Sequence, residues 1–166
     1  MKLHFVALML AVATIAGCGL DGDPSHRPPA PIATADVLAL EVSPPTVQNF
    51  DDKPGADGFD TRIHFFLQSQ AAPVLVSGKL EMSMYEVRDD NIGQAVKQKP
   101  LHVWSLPQES LSRFVARSKY GWCYVIRFDW GQSVPKTERI VIQAVYTSPS
   151  GAKVASAPLV LVMVPK

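Results

Sequence analysis

A chain of 166 residues, 47% hydrophobic and 19% charged with a formal charge of +1, holds enough apolar material for one compact core and is not a disordered polymer. Its charge balance and the lack of any Lys/Arg cluster argue against nucleic acid as a partner, because a phosphate backbone needs a basic patch. No apolar run after residue 18 approaches the roughly 20 residues that cross a bilayer as a helix.

The first segment is a targeting signal. Lys2 supplies the positive start, and Phe5 to Ala16 form an apolar core that is too short to span a membrane and suits an export signal. The core runs into Ile15-Ala16-Gly17-Cys18. This resembles the bacterial lipobox, a branched apolar residue and two small residues ahead of the cysteine that becomes the first residue after cleavage. The small residues admit the peptidase, and the Cys18 thiol accepts the diacylglyceryl group. The resemblance implies a mature chain acylated at Cys18, with two or three acyl chains. Each buried CH₂ adds about 0.8 kcal/mol, so two chains anchor stably where one does not. Gly19, in place of an aspartate, implies sorting to the outer membrane under the pattern of enteric bacteria. Cleavage removes Lys2 alone among the charged residues, which leaves a mature chain of about zero net charge. It also leaves Cys123 as the only free thiol, so no internal disulfide can form and the domain must rest on its core.

The next stretch, 18–35, is read as a tether. Gly19 to Ala35 carry four prolines and two glycines with no hydrophobic period, as in an extended, partly polyproline linker. His26 and Arg27 fall here and are expected to be solvated.

From residue 36 to 166 a single domain is expected, and its pattern has period two. Ile63, Phe65 and Leu67 alternate with Arg62, His64 and Gln68. Val74, Val76, Gly78, Leu80, Met82 and Met84 share one side of a long strand. Trp122, Tyr124, Ile126, Phe128 and Trp130 alternate with Cys123, Val125, Arg127 and Asp129. Such alternation marks antiparallel strands with one face in a core and one in water. Further strands are expected near 36–43, 99–104, 138–147 and 153–164, the last covered on both faces from Ala157 to Val164. Gln70-Ala71-Ala72-Pro73 and Ser148-Pro149-Ser150-Gly151 supply turns. One segment changes period. Ser105 and Gln108 have the spacing of a capping box, and Leu111, Phe114 and Val115 would share the face of a helix over about 106–119, stopped by Gly121. The expectation is an antiparallel β-sandwich of about seven strands with one short helix.

The chain is similar to an immunoglobulin-like sandwich and resembles small lipoproteins of planctomycete-type bacteria. The residues that carry this are the lipobox, Leu101-His102-Val103-Trp104-Ser105, the helix start near Pro107, Gly121-Trp122-Cys123-Tyr124 and Phe128-Asp129-Trp130-Gly131. It departs from antibody-type domains in lacking a second core cysteine, and Tyr120 lies three residues before Cys123, not two. The resemblance is to an architecture and implies no activity.

No zinc spacing, phosphate loop, dinucleotide fingerprint or nucleophile elbow occurs, so no catalytic residue, cofactor or metal ligand is assigned. His64 is expected as a solvated surface side chain, and His102 as packed at a sheet edge. The acidic stretch Asp51 to Asp60 is read as a polar loop, since its spacing fits no EF-hand and Lys53 intrudes. Asp89-Asp90-Asn91 reads as a turn. Cys123 is expected as a half-buried structural thiol. Trp122, Tyr124 and Trp130 are expected in the core; exposed, they would form a sugar-stacking platform. The function expected is that of a non-enzymatic binding or structural module in the cell envelope. It would be lipid-anchored, at an outer membrane facing the periplasm or the cell surface, with a protein or glycan partner. The alternative is a small hydrolase or ligand-binding lipoprotein with a site that no motif marks.

Overall fold

The computed structural model describes residues 27–32, 34–87 and 91–163; Cys18, the signal and Asp89-Asp90 lie outside them. Nine strands occur among the described residues: β1 (Val37–Glu41), β2 (Gly58–Phe66), β3 (Lys79–Glu86), β4 (His102–Leu106), β5 (Val115–Ser118), β6 (Gly121–Asp129), β7 (Arg139–Thr147), β8 (Lys153–Ala155) and β9 (Leu159–Val162). Two single helical turns, α1 (Ile92–Ala95) and α2 (Gln108–Leu111), interrupt them.

The strands form two antiparallel sheets. One has the order β1-β2-β6-β5; the other has the order β4-β3-β7-β8, with β9 also paired to β7. Lettered in chain order, these are A-B-E-D against C′-C-F-G, the strand order of the immunoglobulin fold. The alternation explains the layering. Phe59, Ile63 and Phe65 of β2 and Tyr124, Ile126 and Phe128 of β6 point inward, against Leu80, Met82 and Met84 of β3 and Ile140, Ile142, Ala144 and Tyr146 of β7. The strands that a disulfide joins in antibody domains are β2 and β7. Here Phe65 meets Tyr146 edge-on, with ring centroids 5.1 Å apart. Trp130 closes one end, its indole donating to the Ala56 carbonyl at 3.1 Å.

Local chemistry shifts several expected boundaries. The long strand expected from residue 74 is broken at Gly78. There φ is +138°, and a Cβ would lie 2.5 Å from the Thr147 carbonyl oxygen, so neither the conformation nor the space admits a side chain. Before that break, Val74 bridges Phe65 of the first sheet, while β3 proper belongs to the second. The final expected strand splits at Pro158 into β8 and β9. The cover expected there is partial. Leu161 is buried, Leu159 and Val160 pack on the main core and on a second small cluster, and the segment Pro45–Val47 bonds to Val162 across from β7. The Val162 side chain, however, is 44% exposed.

The helix expected over 106–119 is the largest correction. Ser105 is a strand residue of β4, paired with Glu81, and caps nothing. Helical backbone begins after Pro107, which provides no side-chain hydrogen bond, and lasts one turn. A 3₁₀ turn over Ser112–Phe114 follows, and Val115–Ser118 then extend as β5 along β6. Backbone pairing with β6, together with the β-branched Val115, outweighs the helical spacing of the apolar residues. Leu111 is still buried in the core, with Phe114 and Val115 packed at its margin. Among the described residues the first backbone hydrogen bonds to the sandwich are those of Ile32, inside the expected tether. Its amide donates to the Leu75 carbonyl and its carbonyl accepts from the Ser77 amide, both at 2.8 Å.

Candidate functional site

The outer face of the first sheet carries the least conventional chemistry of the described residues. Strand pairing sets Val37 opposite Phe66, Ala39 opposite His64, and Glu41 opposite Arg62. Three cross-strand pairs thus lie side by side, and the middle one has only a methyl group on the β1 side. The short side chain leaves a cavity of about 280 Å³, lined by Ala39, Leu40, Glu41, His64, Phe66 and Tyr120.

Tyr120 arrives from elsewhere in the chain. It sits with Lys119 in the two-residue turn between β5 and β6, where the Ser118 hydroxyl accepts from the Tyr120 amide at 3.1 Å and donates to the Gly121 carbonyl at 3.3 Å. Gly121 takes φ +127°, which lets the hairpin close. The turn lays the Tyr120 ring edge-on to His64, with centroids 5.9 Å apart, while Phe66 stacks on the other side at 6.2 Å. Tyr120 itself stays 57% exposed. Lys119 places its ammonium 4.8 Å from the Tyr120 ring centroid.

His64 is therefore not the solvated residue expected from its strand position. It faces outward as the alternation requires, but it is only 4% exposed, because Phe66 and Tyr120 cover it. Its Nε2 lies 3.4 Å from Glu41 Oε2, yet without the alignment of a hydrogen bond; neither ring nitrogen has a hydrogen-bond partner. Buried polar atoms left in this way are rare and costly, about 1–3 kcal/mol each. The Glu41 carboxylate is shared, since its other oxygen is 3.7 Å from Arg62 Nη1.

Cys123 lies on the outer face and is 1% exposed, deeper than the half-burial expected. Burial pushes its thiol up in pKa, an effect larger than the opposing hydrogen bond with Ser118. The protonated form is thereby favoured, which makes it a poor nucleophile. His102 is half-buried at the edge strand β4. Its ring packs on Trp104 at 4.5 Å, and its Nδ1 is 2.9 Å from the Ser133 hydroxyl.

Other sequence candidates resolve into structure. In the acidic loop, Asp57 Oδ2 accepts from the amides of Phe50 and Asp51, Asn49 accepts from Asp51, and Asp51 accepts from Lys53. Asp51 and Asp57 thus shape the loop while Asp60 pairs with Arg127, and no group of three or more acidic, His or Cys residues suited to a metal occurs among the described residues. Asn91 caps α1 through its side chain. Tyr124 and Trp130 are core, and Trp122 is partly buried beneath the Arg117 guanidinium at 5.1 Å. The platform that those three rings would have offered does not exist. The exposed ring is Tyr120, which the sequence pattern had not marked. The available signal was its place in a tight turn, where a large aromatic serves no core. No family model, no curated protein and no solved structure matches this chain.

Proposed function

We propose that this chain is a lipoprotein of the cell envelope, anchored to a membrane through acylated Cys18, and that its β-sandwich is a non-enzymatic binding or structural module. The observation that carries the anchor is the four-residue lipobox Ile15 to Cys18 directly behind an apolar core too short to span. The position of Ile32 supports it. Between Cys18 and the first backbone bonds of the domain there is room for a leash of no more than ~50 Å, which keeps the sandwich beside the membrane surface. The pit on the outer face of the first sheet, walled by Phe66 and the exposed ring of Tyr120, supports a binding role over a purely structural one.

Metabolic labelling with a fatty-acid analogue tests the reading. Wild type should incorporate the label and sediment with membranes, and Cys18→Ala should lose both. A Cys18→Ala protein that still labels and stays with membranes would overturn the anchor.

A further inference from the structure

We infer that residues 27–32 are a removable strap on a strand-pairing edge, and that an extended peptide segment of a partner protein takes the strap's place there. The inference rests on the binding-module reading above and names the partner's chemistry. The carrying feature is the isolated parallel bridge between Ile32 and Val76. The Ile32 amide donates to the Leu75 carbonyl at 2.8 Å, and the Ile32 carbonyl accepts from the Ser77 amide at 2.8 Å and from the Ser77 hydroxyl at 3.3 Å. Leu75 and Ser77 thus present an acceptor and a donor two positions apart on one side of the chain. That is the spacing by which a sheet edge takes up a peptide strand.

The strap holds this edge weakly. Pro28, Pro29 and Pro31 have no amide hydrogen, so the pairing that starts at Ile32 has only Ala30 to offer as a further donor. Pro28 to Pro31 are exposed, and the Ile32 side chain is half-buried at the margin of the core. A groove of about 470 Å³ runs between strap and sandwich, with Pro28 to Pro31 on one wall and Leu75, Val76, Val115 and Tyr124 on the other. The strap therefore bridges a hollow without filling it, and atoms that face a gap forfeit the dispersion contacts of close packing.

The edge itself is pinned from beneath. The Tyr124 hydroxyl accepts from the Val76 amide at 2.9 Å and donates to its carbonyl at 3.0 Å, and the Tyr146 hydroxyl donates to the Ser77 carbonyl at 2.6 Å. Loss of the strap leaves Leu75 to Ser77 in place, with their pairing groups along a groove within the usual range of ligand sites, ~300–1,000 Å³. The apolar wall selects an apolar residue in the place of Ile32, and a β-branched one suits an extended backbone. A segment without flanking prolines repeats the bonds of Ile32 and can add to them. The strap's one advantage is covalent, an effective concentration on the order of millimolar for a short link. Affinity for a peptide in the wild type is lowered by the fraction of chains with the strap docked.

The test uses the full-length lipidated chain in lipid nanodiscs, with backbone amides followed by NMR. Hydrogen exchange at the Ile32 and Ser77 amides should run through local opening, about tenfold or more faster than at Ile63 and Met82 and little changed by low urea. The chain is then titrated with a synthetic peptide of residues 27–35, with the same peptide carrying Ile32→Asp, and with one carrying Pro29→Ala and Pro31→Ala. In a chain carrying Ile32→Asp the strap is released. The unaltered peptide should shift the Leu75 to Ser77 signals of that chain and bind it about tenfold or more tighter than the wild type. The proline-poor peptide should bind tighter still, and the Ile32→Asp peptide should leave the signals unmoved. Exchange at Ser77 that occurs only with global unfolding would make the strap part of the core and overturn the inference, as would loss of the sandwich in the Ile32→Asp chain. A folded Ile32→Asp chain whose signals no peptide shifts would overturn it too. Concentration-dependent dimers of the wild type that vanish with Ile32→Asp would give the place to the strap of a second copy and overturn a separate partner. Acylation at Cys18 is read separately, so the edge can fail while the anchored module stands.

Discussion

Tyr124 reaches from the inner face of β6 to the backbone of Val76, where its hydroxyl accepts from the amide at 2.9 Å and donates to the carbonyl at 3.0 Å. One side chain thus satisfies both polar groups of a buried residue that strand pairing leaves over. Tyr124→Phe keeps the ring and removes both bonds, and should cost about 1–3 kcal/mol, read as a lower urea midpoint with an unchanged slope. An unchanged midpoint would mean that water enters and replaces the hydroxyl. The burial of Tyr124 is legible in the alternation from Trp122 to Trp130, but its partner is not, because Val76 lies 48 positions away. His64 shows the same boundary. Period two states which side of the sheet it occupies. What covers that side depends on the turn that carries Tyr120, and on Ala39 being the residue across the ladder. Pairwise register between distant strands is not written in the local period of either one.

At the scale of elements, strands with a partner on each side are the ones legible in the sequence: β2, β6 and β7 lie where their apolar residues predict, although His64, Cys123 and Val141 are buried on the outer faces as well. The segment from Ser105 to Ser118 shows why others are not. Leu111, Phe114 and Val115 fit a helical face equally well as a short turn followed by a strand, and tertiary pairing with β6 decides between them. The energetic expectations change accordingly. Ser105 is exposed and caps no helix, so Ser105→Ala should move stability by less than about 0.5 kcal/mol. Leu111 anchors the turn in the core, so Leu111→Ala should cost about 2–5 kcal/mol. Denaturant midpoints of the two variants check the contrast. Comparable losses would restore a capping role to Ser105.

For the whole molecule, the two sheets are held mainly by apolar and aromatic contact, joined by the Trp104 indole of β4 donating to the Asp129 carbonyl of β6 at 2.7 Å. The described residues contain one cysteine, and it is free. Stability therefore depends on groups that must stay uncharged inside, and three are known by direction. Burial pushes the Tyr124 and Tyr146 hydroxyls and the Cys123 thiol above their ordinary values. A raised folded-state value means that the native chain holds these protons more tightly than the unfolded one. Their contribution is complete below the unfolded-state values, about 8.5 for the thiol and about 10 for the hydroxyls, and is lost as pH rises beyond them. The urea midpoint should accordingly change little from these groups near neutrality and fall toward about pH 11. Tyr124→Phe should flatten that decline. A midpoint insensitive to alkali in both proteins would show that the hydroxyls are as solvated in the fold as outside it.

The attachment of Ile32 has a mechanical consequence. With Cys18 as the anchor proposed above, any drag on the sandwich is transmitted through Ile32, whose amide donates to the Leu75 carbonyl and whose carbonyl accepts from the Ser77 amide and hydroxyl. Those are the first backbone hydrogen bonds loaded among the described residues. When they part, the chain between Ile32 and Asp36 is freed, roughly 14 Å of extra reach at ~3.5 Å per residue. The load then comes to Asp36, whose amide donates to the Phe66 carbonyl and whose carboxylate accepts from the Gln68 amide, and beyond it to the five-residue ladder of β1 on β2. The weakest link thus stands first in series and outside the sheets, so a sudden tug is absorbed as slack and the pit on β1 keeps its shape.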